Sequence, residues 1–291
     1  MKVAAIIVTY NRLELLKECL SAVRQQTLPV NEILVVNNAS TDGTEKFLAT
    51  QEDVRVVNLD KNIGGAGGFS YGIREACGNA DNDALWIMDD DTIATPTALE
   101  NLVRQMEKEP ELGFVCSKVV WKDGAVHWMN IPGFVTDDDK DASLRQVRSA
   151  SFVSLLVPTK IVREVGLPYK EFFIWADDAE FTSRIHKEAG YKALLVNDSV
   201  VVHKTAVNYG AGIDRATVAN AWKFYYLMRN GMFCCRHERP YLLWLFRELN
   251  HLRLYLHRVN KMPKEDRKVF KDNLIRGFKD GLTFRPKREF L

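Results

Sequence analysis

Short, wholly apolar runs alternate with amphipathic stretches through the first half of the chain, and this alternation limits the fold more than any other feature. "VAAIIVT" (3–9), "EILVVNN" (32–38), "VRVVNL" (54–59) and "ALWIMD" (84–89) are the right length for strands. The continuous apolar runs among them mark strands buried on both faces. Between them lie helical patterns. One surrounds "LELLKECLSAVRQ", a second starts at "TDGTEKFLAT" behind a Thr/Asp cap, and a third is expected near residues 69–77, after a glycine-rich loop. "PTALENLVRQMEKE" has Pro near its first turn, and strand-like "GFVCSKVVW" follows it. Strands that alternate with helices build βαβ units, hence a Rossmann-like α/β fold with a mixed, mostly parallel sheet and flanking helices. Residues 121–150 read as irregular, with Gly, Pro and an exposed "TDDDK". "ASFVSLLVP" (150–158) and "KALLVNDSVVVH" (192–203) resume strand character, the latter as one strand or two. From about residue 215 the pattern is helical, so the expected division is an α/β domain over 1–210 and a helical region over 211–291.

The chain's 291 residues are ample for a core, and its 46% hydrophobic and 27% charged content is ordinary for a soluble globular protein. Five cysteines (Cys19, Cys77, Cys116, Cys234, Cys235), an odd number without CxxC or Cys/His ligand spacing, argue against a disulfide framework and a zinc site. The apolar run in "MKVAAIIVTYNR" is too short for a signal peptide, and no stretch approaches the roughly 18 residues of a spanning helix. A cytoplasmic location is the expectation. The net charge of +2 hides an asymmetry: Arg236–Leu291 carries 15 Lys/Arg against 7 Asp/Glu, or +8, which leaves −6 for the rest. An acidic body and a basic appendage facing something anionic follow from that split.

In open α/β sheets, ligands sit outside the carboxyl ends of the strands. "TYNR" (9–12), "NNASTDGT" (37–44), "DKNIGGAGGFS" (60–70) and "DDDT" (89–92) all fall at such ends. Any one could be an ordinary turn; four at one edge point to a shared site. The glycine stretch has neither the Lys-Ser/Thr ending of a P-loop nor the G-x-G-x-x-G spacing, since the sixth position from Gly65 is Ser70. Its glycines still permit close backbone approach to a ligand near a helix start. Three successive carboxylates after an apolar run repel one another, and a divalent cation is the most economical compensation. In an extended continuation Asp89 and Asp91 point to one side and Asp90 to the other, so the first two can converge on a diphosphate-bound Mg²⁺ or Mn²⁺.

"FFIWADDAEFTSRIHKEAG" (172–190) is a second acidic centre. In a helix starting near Ala176, Asp178, Phe181, Ile185 and Ala189 share the apolar face, while Asp177, Glu180 and Arg184 share another and can pair. A carboxylate on the inward side of a first helical turn, beside Trp175, is partly desolvated yet held by backbone amides, which suits a general base as well as a helix cap. Of six histidines, His203 ends a strand at the metal edge; the other five (127, 186, 237, 251, 257) read as packing or surface residues.

"AAIIVTYNR", "EILVVNNASTDGT", "NIGGAGGF", "WIMDDDT" and "FIWADDAEF" occur in an order and spacing that resemble family 2 glycosyltransferases over roughly residues 3–205. The doubled glycines, with "MDDD" and "WADDAEF", are most similar to the galactofuranosyltransferase branch, with rhamnosyltransferases close behind. "FYYLMRN" (224–230) is similar to a segment that follows the catalytic core in such enzymes. The resemblance implies a GT-A fold and inverting transfer of a sugar from a nucleotide diphosphate. It implies a nucleotide pocket lined by Thr9, Tyr10, Asn11 and Arg12, with Asn37 at the base. Asn62 and the Gly64–Gly68 stretch, Gly64 and Gly65 first, would border the donor sugar and ribose. Asp89 and Asp90 would contact the nucleotide; Asp89, Asp91 and His203 would hold Mn²⁺ or Mg²⁺. Asp178 would be the base, with Trp175 and Asp177 shaping the acceptor or sugar pocket. UDP-galactofuranose is the expected donor and dTDP-rhamnose the alternative; Asn37, where many relatives carry Asp, leaves the choice of uridine or thymidine open. The acceptor would be a hydroxyl of a cell-surface glycan or lipid-linked oligosaccharide. With its first strand at the very start, the chain is expected to add one sugar rather than polymerise.

"RPYLLWLFRELNHLRLYLHRVNK" places Leu245, Leu249, Leu252, Leu256 and Val259 on one stripe, with Arg247, Arg253, Arg258 and Lys261 elsewhere. That stripe packs on the catalytic domain, joins a second subunit in a homodimer, or lies on an anionic membrane at the inner face of the plasma membrane. Nucleic acid is not an expected partner, because the basic charge is mixed with Leu-rich stripes. Two other classes compete. A nucleotidyltransferase would leave "WADDAEF" unexplained, and a non-catalytic nucleotide-sugar-binding protein would hold donor without turnover.

Overall fold

Every residue of the first strand, β1 (Val3–Thr9), is buried. Successive side chains enter opposite layers, Ala5 and Ile7 on one face of the sheet and Ala4, Ile6 and Val8 on the other. The computed structural model describes residues 1–136, 142–208, 210 and 212–291, with the backbone alone at His237. After β1 come α1 (Leu13–Arg24), β2 (Glu32–Asn37), α2 (Thr44–Leu48), β3 (Val54–Asn58), α3 (Gly64–Gly78), β4 (Ala84–Asp89), β5 (Thr92–Ala94), α4 (Ala98–Lys108) and β6 (Leu112–Val120). The chain continues through β7 (Gly133–Phe134), β8 (Leu144–Ser149), β9 (Leu155–Pro158), α5 (Thr159–Val165), α6 (Asp177–Lys187) and β10 (Lys192–His203). Helices α7 (Lys223–Cys234), α8 (Tyr241–Val259) and α9 (Lys264–Thr283) complete it.

The sheet runs β3-β2-β1-β4-β9-β6-β10-β8-β7, with β5 paired to β10 off this path. β3, β2, β1 and β4 are mutually parallel, β9 is antiparallel to both its neighbours, and β6 and β10 are parallel to each other. Register aligns the carboxyl ends: Thr9 lies opposite Asn37, and Val8 opposite Asp89. The antiparallel β5–β10 pair sets His203 opposite Thr92, which carries the histidine to the same edge. Helices α1 and α4 cover one face and α3, α5 and α6 the other.

Four local expectations are corrected. The glycine stretch is the start of α3, not a loop before it. A Cβ at Gly68 would sit 2.6 Å from Val8 Cγ1, and one at Gly72 2.8 Å from Ile6 Cγ2, so missing side chains let the helix lie directly on β1. Residues 144–149 form β8, a strand between β10 and the two-residue β7, hidden in the polar "LRQVRS"; residues 137–140 of "TDDDK" lie outside the described residues. "ASFVSLLVP" is strand only from Leu155, because Ser154 takes a φ of 63°. In α8, Leu245, Leu252, Leu256 and Val259 pack inward around Trp244, but Leu249 is exposed with Tyr241, Leu242, Leu243 and Phe246.

The helices after β10 enclose a third core of Phe224, Met228, Met232, Trp244, Val259, Phe270, Leu274 and Phe278, which Trp175 joins from the α/β side. The C-terminal tail returns to that side too: Leu167 donates its backbone N–H to Glu289 O (2.8 Å), and the Glu289 carboxylate pairs with Arg74 and Lys170.

Candidate active site

The edge defined by Thr9, Asn37, Asp89 and His203 gathers most of the charged groups expected there. Asp90 turns toward β1, where Thr9 Oγ1 donates to its Oδ2 (2.7 Å) and Tyr10 N approaches the same oxygen at 3.4 Å. Arg12 Nη1 lies 2.6 Å from Asp91 Oδ2 and 3.3 Å from Asp90 Oδ1, so one guanidinium ties the second and third carboxylates together. His203 Nε2 is 2.9 Å from Asp91 Oδ1. Burial and Asp91's charge push Asp90 up to about 6 against the pull of Arg12 and Thr9. Burial also works against the ionised Asp91, but its His203 hydrogen bond and the charges of His203 and Arg12 prevail and bring it below its ordinary value. Asp89 is driven well above the usual carboxylate range by burial and by its two neighbours, which outweigh the charge of Arg12; Asp178 is near enough to add to the effect.

The ligand atoms of Asp89, Asp91 and His203 lie within 4.8 Å of one another. Asn130 Nδ2 donates to Ser151 Oγ (2.9 Å), which turns its Oδ1 to His203 Nδ1 at 2.8 Å. That acceptor takes the Nδ1–H and leaves Nε2 as the ring nitrogen turned to the Asp91 carboxylate. A proton on Nε2, or a cation shared by Nε2 and Asp91 Oδ1, satisfies that approach. Two carboxylates and an imidazole oriented by a second residue fit a divalent ion such as Mn²⁺ or Mg²⁺.

The polar residues of the 9–12, 37–44 and 60–64 stretches organise loops around this centre. Asn11, at φ 54°, accepts the Thr41 N–H at Oδ1 (2.7 Å), and its own N–H donates to Ser40 Oγ (3.0 Å). Tyr10 is exposed beside it. Asn37 is buried; its Oδ1 accepts from Ser40 N (3.0 Å) and its Nδ2 donates to Asn58 Oδ1 (2.8 Å), so both ends of its amide hold the loop itself. Asn62 Oδ1 caps Gly64 N (2.8 Å). Gly64 has a φ of 78° and sits against the Phe173 carbonyl, whereas Gly65 faces open space.

Asp177 and Asp178 open α6, behind Ala176 in a left-handed conformation. Arg184 pairs with Glu180 (3.0 Å) and not with Asp177, contrary to the expected trio, because its guanidinium is also drawn to the carbonyls of Val165 and Leu167. Asp177 is buried, and burial with the charge of Asp178 pushes it up to about 8. Asp178 is half-buried; burial raises it too, opposed by the backbone N–H groups of Ala179, Asp178 and Phe152.

Four residues at the site were not singled out from the sequence. Asn130 orients His203. Asn38 holds the start of α3 by accepting from Ile63 N (2.9 Å) and donating to Gly64 O (3.0 Å). His127 packs its ring 4.7 Å from that of His203. Lys223 stands over Trp175 (5.9 Å), and its pKa is lowered by burial and by Arg12's charge, which places this cation from α7 near Arg12. The sequence signal was the adjacency of Lys223 to "FYYLMRN"; nothing local marks the others.

The fold is GT-A with C-terminal helices. The family model for glycosyl transferase family 2 matches residues 4–159, and the chain belongs to that family. It is 36% identical over 108 residues to the uncharacterized glycosyltransferase YwdF of Bacillus subtilis (strain 168), covering 37% of this chain and 39% of that protein. It is 27% identical to galactofuranosyltransferase GlfT1 of Mycolicibacterium smegmatis, covering 63% of this chain and 65% of that one. The O-antigen chain rhamnosyltransferase RfbN of Salmonella typhimurium is also 27% identical, with 70% of this chain and 66% of RfbN covered. Among solved structures, S. aureus TarS 1-349 in complex with UDP superposes with a TM-score of 0.60 at 13% identity, over 99% of this chain and 93% of that one. GalNAc-T7 with UDP, GalNAc and Mn²⁺ gives 0.60 at 16% identity, over 85% of this chain and 54% of that one.

Proposed function

We propose that this chain transfers a sugar from a nucleoside diphosphate donor to an acceptor hydroxyl with inversion of configuration. The observation that carries the reading is the convergence of Asp89, Asp91 and His203 at one strand edge, with Asp178 close enough to perturb Asp89. Asp89, Asp91 and His203 would hold a divalent ion, which when bound would neutralise charge on the departing diphosphate. Arg12 and Lys223 add fixed positive charge beside it. Asp178 Oδ takes the proton of the acceptor hydroxyl as that oxygen attacks the anomeric carbon opposite the leaving diphosphate. One bond forms as one breaks, so the configuration inverts without a glycosyl-enzyme. Trp175 and Asp177 flank the base on the acceptor side, while the 9–12 segment, Asn37, Asn62, Gly64 and Gly65 frame the donor.

UDP-galactofuranose is the favoured donor. The GlfT1 likeness supports the sugar, and the UDP complex of TarS supports the nucleotide. RfbN, at the same identity, supports rhamnose as the alternative. Calorimetric titration of UDP-galactofuranose and dTDP-rhamnose with Mn²⁺ separates them: tighter binding of the first is expected, and tighter binding of the second reverses the assignment.

No described helix is long and apolar enough to cross a membrane. Leu242, Phe246 and Leu249 nevertheless share an outward face of α8 beside exposed Leu243, with exposed Arg239 and Arg253 near its ends. Apolar and basic side chains on one helix face suit an anionic lipid surface, at which a lipid-linked glycan would be presented. Flotation with anionic vesicles at low salt is expected. A vesicle-free dimer in light scattering would assign the face to a second copy instead.

A further inference from the structure

"FYYLMRN" ends on Arg229 and Asn230, both buried in α7 and both directed away from the helical core toward the segment that introduces α6. That segment is conformationally costly. Phe173, Trp175 and Ala176 have φ of 65°, 66° and 70°, a region that L side chains avoid. Among the described residues, its carbonyls converge on one side chain: Asn230 Nδ2 lies 3.0 Å from Phe172 O, 3.1 Å from Ile174 O and 2.9 Å from Trp175 O. Arg229 fixes which end of the amide faces them, since its Nε and Nη2 donate to Asn230 Oδ1 at 3.0 and 2.9 Å. The same Nη2 donates to Glu171 O (2.6 Å), and the guanidinium rests over the Phe284 ring at 4.0 Å. The carbonyl that Asn230 passes over, Phe173 O, turns the other way and accepts the Ala66 N–H of α3 (3.2 Å). The segment therefore joins α7, the donor-side helix α3 and the helix that carries Asp178.

We propose that Asn230, oriented by Arg229, is a positioning residue that holds Phe173, Trp175 and Ala176 at positive φ and thereby sets Asp178 and Trp175 against the donor site. The catalytic half of this statement rests on the proposed function; the conformational half does not. Without the amide, three carbonyls lose a buried donor and the segment relaxes toward negative φ, which rotates the start of α6.

Hydrogen exchange on wild type, Asn230→Ala, Asn230→Asp and the double variant Asn230→Ala/Ala176→Gly tests it without any substrate. Asn230→Asp keeps the acceptor for Arg229 and replaces the donor with a carboxylate oxygen that repels the same three carbonyls. In both single variants, exchange across 172–180 is expected to rise by about tenfold or more, the factor to which the strain of one such position corresponds, with β1 and β4 unchanged. Glycine at 176 removes part of that strain and is expected to restore part of the protection, a rescue that simple core packing would not give. With a donor and acceptor in hand, kcat is expected to fall by about 10²-fold in the single variants, with UDP affinity within threefold. Wild-type exchange across 172–180 in folded Asn230→Asp overturns the proposal. Altered exchange with no turnover by the wild type leaves the positioning intact and refutes the proposed function instead.

Discussion

Two acidic centres face the same edge of the sheet and hold their like charges together by different means. At 89–91, neighbouring side chains do it: Arg12 bridges Asp90 and Asp91, His203 meets Asp91, and Thr9 donates to Asp90. At 177–178, the compensation comes from backbone amides and from the proton that burial retains on Asp177. The first arrangement keeps Asp91 ionised and leaves Asp89 with the charge of Arg12 outweighed by burial and by its neighbouring carboxylates, which suits a further cation. The second raises two carboxyls without a side-chain cation, which suits proton transfer. The contrast teaches that a run of aspartates is read by what compensates it, not by its length.

The sharpest break of this comparison is Asp178→Asn. Steady-state turnover is expected to fall by about 10²- to 10⁴-fold, the usual worth of a general base, with UDP affinity within threefold. A change below fivefold would return Asp178 to the role of a helix cap. At the other centre, Asn130→Ala removes the acceptor that fixes the His203 proton and is expected to weaken Mn²⁺ binding by roughly 10- to 100-fold in a fluorescence or calorimetric titration. An unchanged affinity would detach His203 from the metal.

Asp177 gives a stability test with a defined sign. Its folded pKa of about 8 lies above the unfolded value of about 3.9, so the native state holds a proton that the unfolded chain has lost across that window. Stability from this group therefore falls as pH rises from about 4 to about 8. Asp177→Asn is expected to raise Tm by a few degrees at pH 8 and to leave it nearly unchanged at pH 4.5. An equal shift at both would mean that Asp177 is ionised throughout. The smallest effect belongs to the outer face of α8: Phe246→Asp is expected to leave Tm within about a degree, as surface substitutions usually do, while vesicle flotation is lost.

What the sequence made legible follows from how local each signal is. β1, β2 and β4 are apolar runs whose ends carry Thr9, Asn37 and Asp89, and parallel register then brings those ends together without further information. The convergence of Asp89 and Asp91 followed from strand alternation, and His203 from its place at a strand end. Where the reading failed, a contact distant in sequence overrode a local preference. Glycines at 64–68 favour a loop by propensity, yet the approach of α3 to Val8 and Ile6 requires residues without side chains. β8 is mostly polar because it lies toward the edge of the sheet, with Val147 its buried side chain. The expected stripe on α8 erred at Leu249 because Trp244 and Glu248, buried between leucines, set the inward face. Asn130 and Asn230 act across 73 and 55 to 58 residues of chain, which no spacing rule reaches.

The central claim is that Asp89, Asp91 and His203 make a metal-dependent nucleotide site. Calorimetric titration of UDP with and without Mn²⁺, into wild type and Asp91→Ala, tests it most directly. The account predicts UDP binding by the wild type that requires Mn²⁺ and is lost in a folded Asp91→Ala. Equal UDP affinity with and without the metal, or in both proteins, would contradict it.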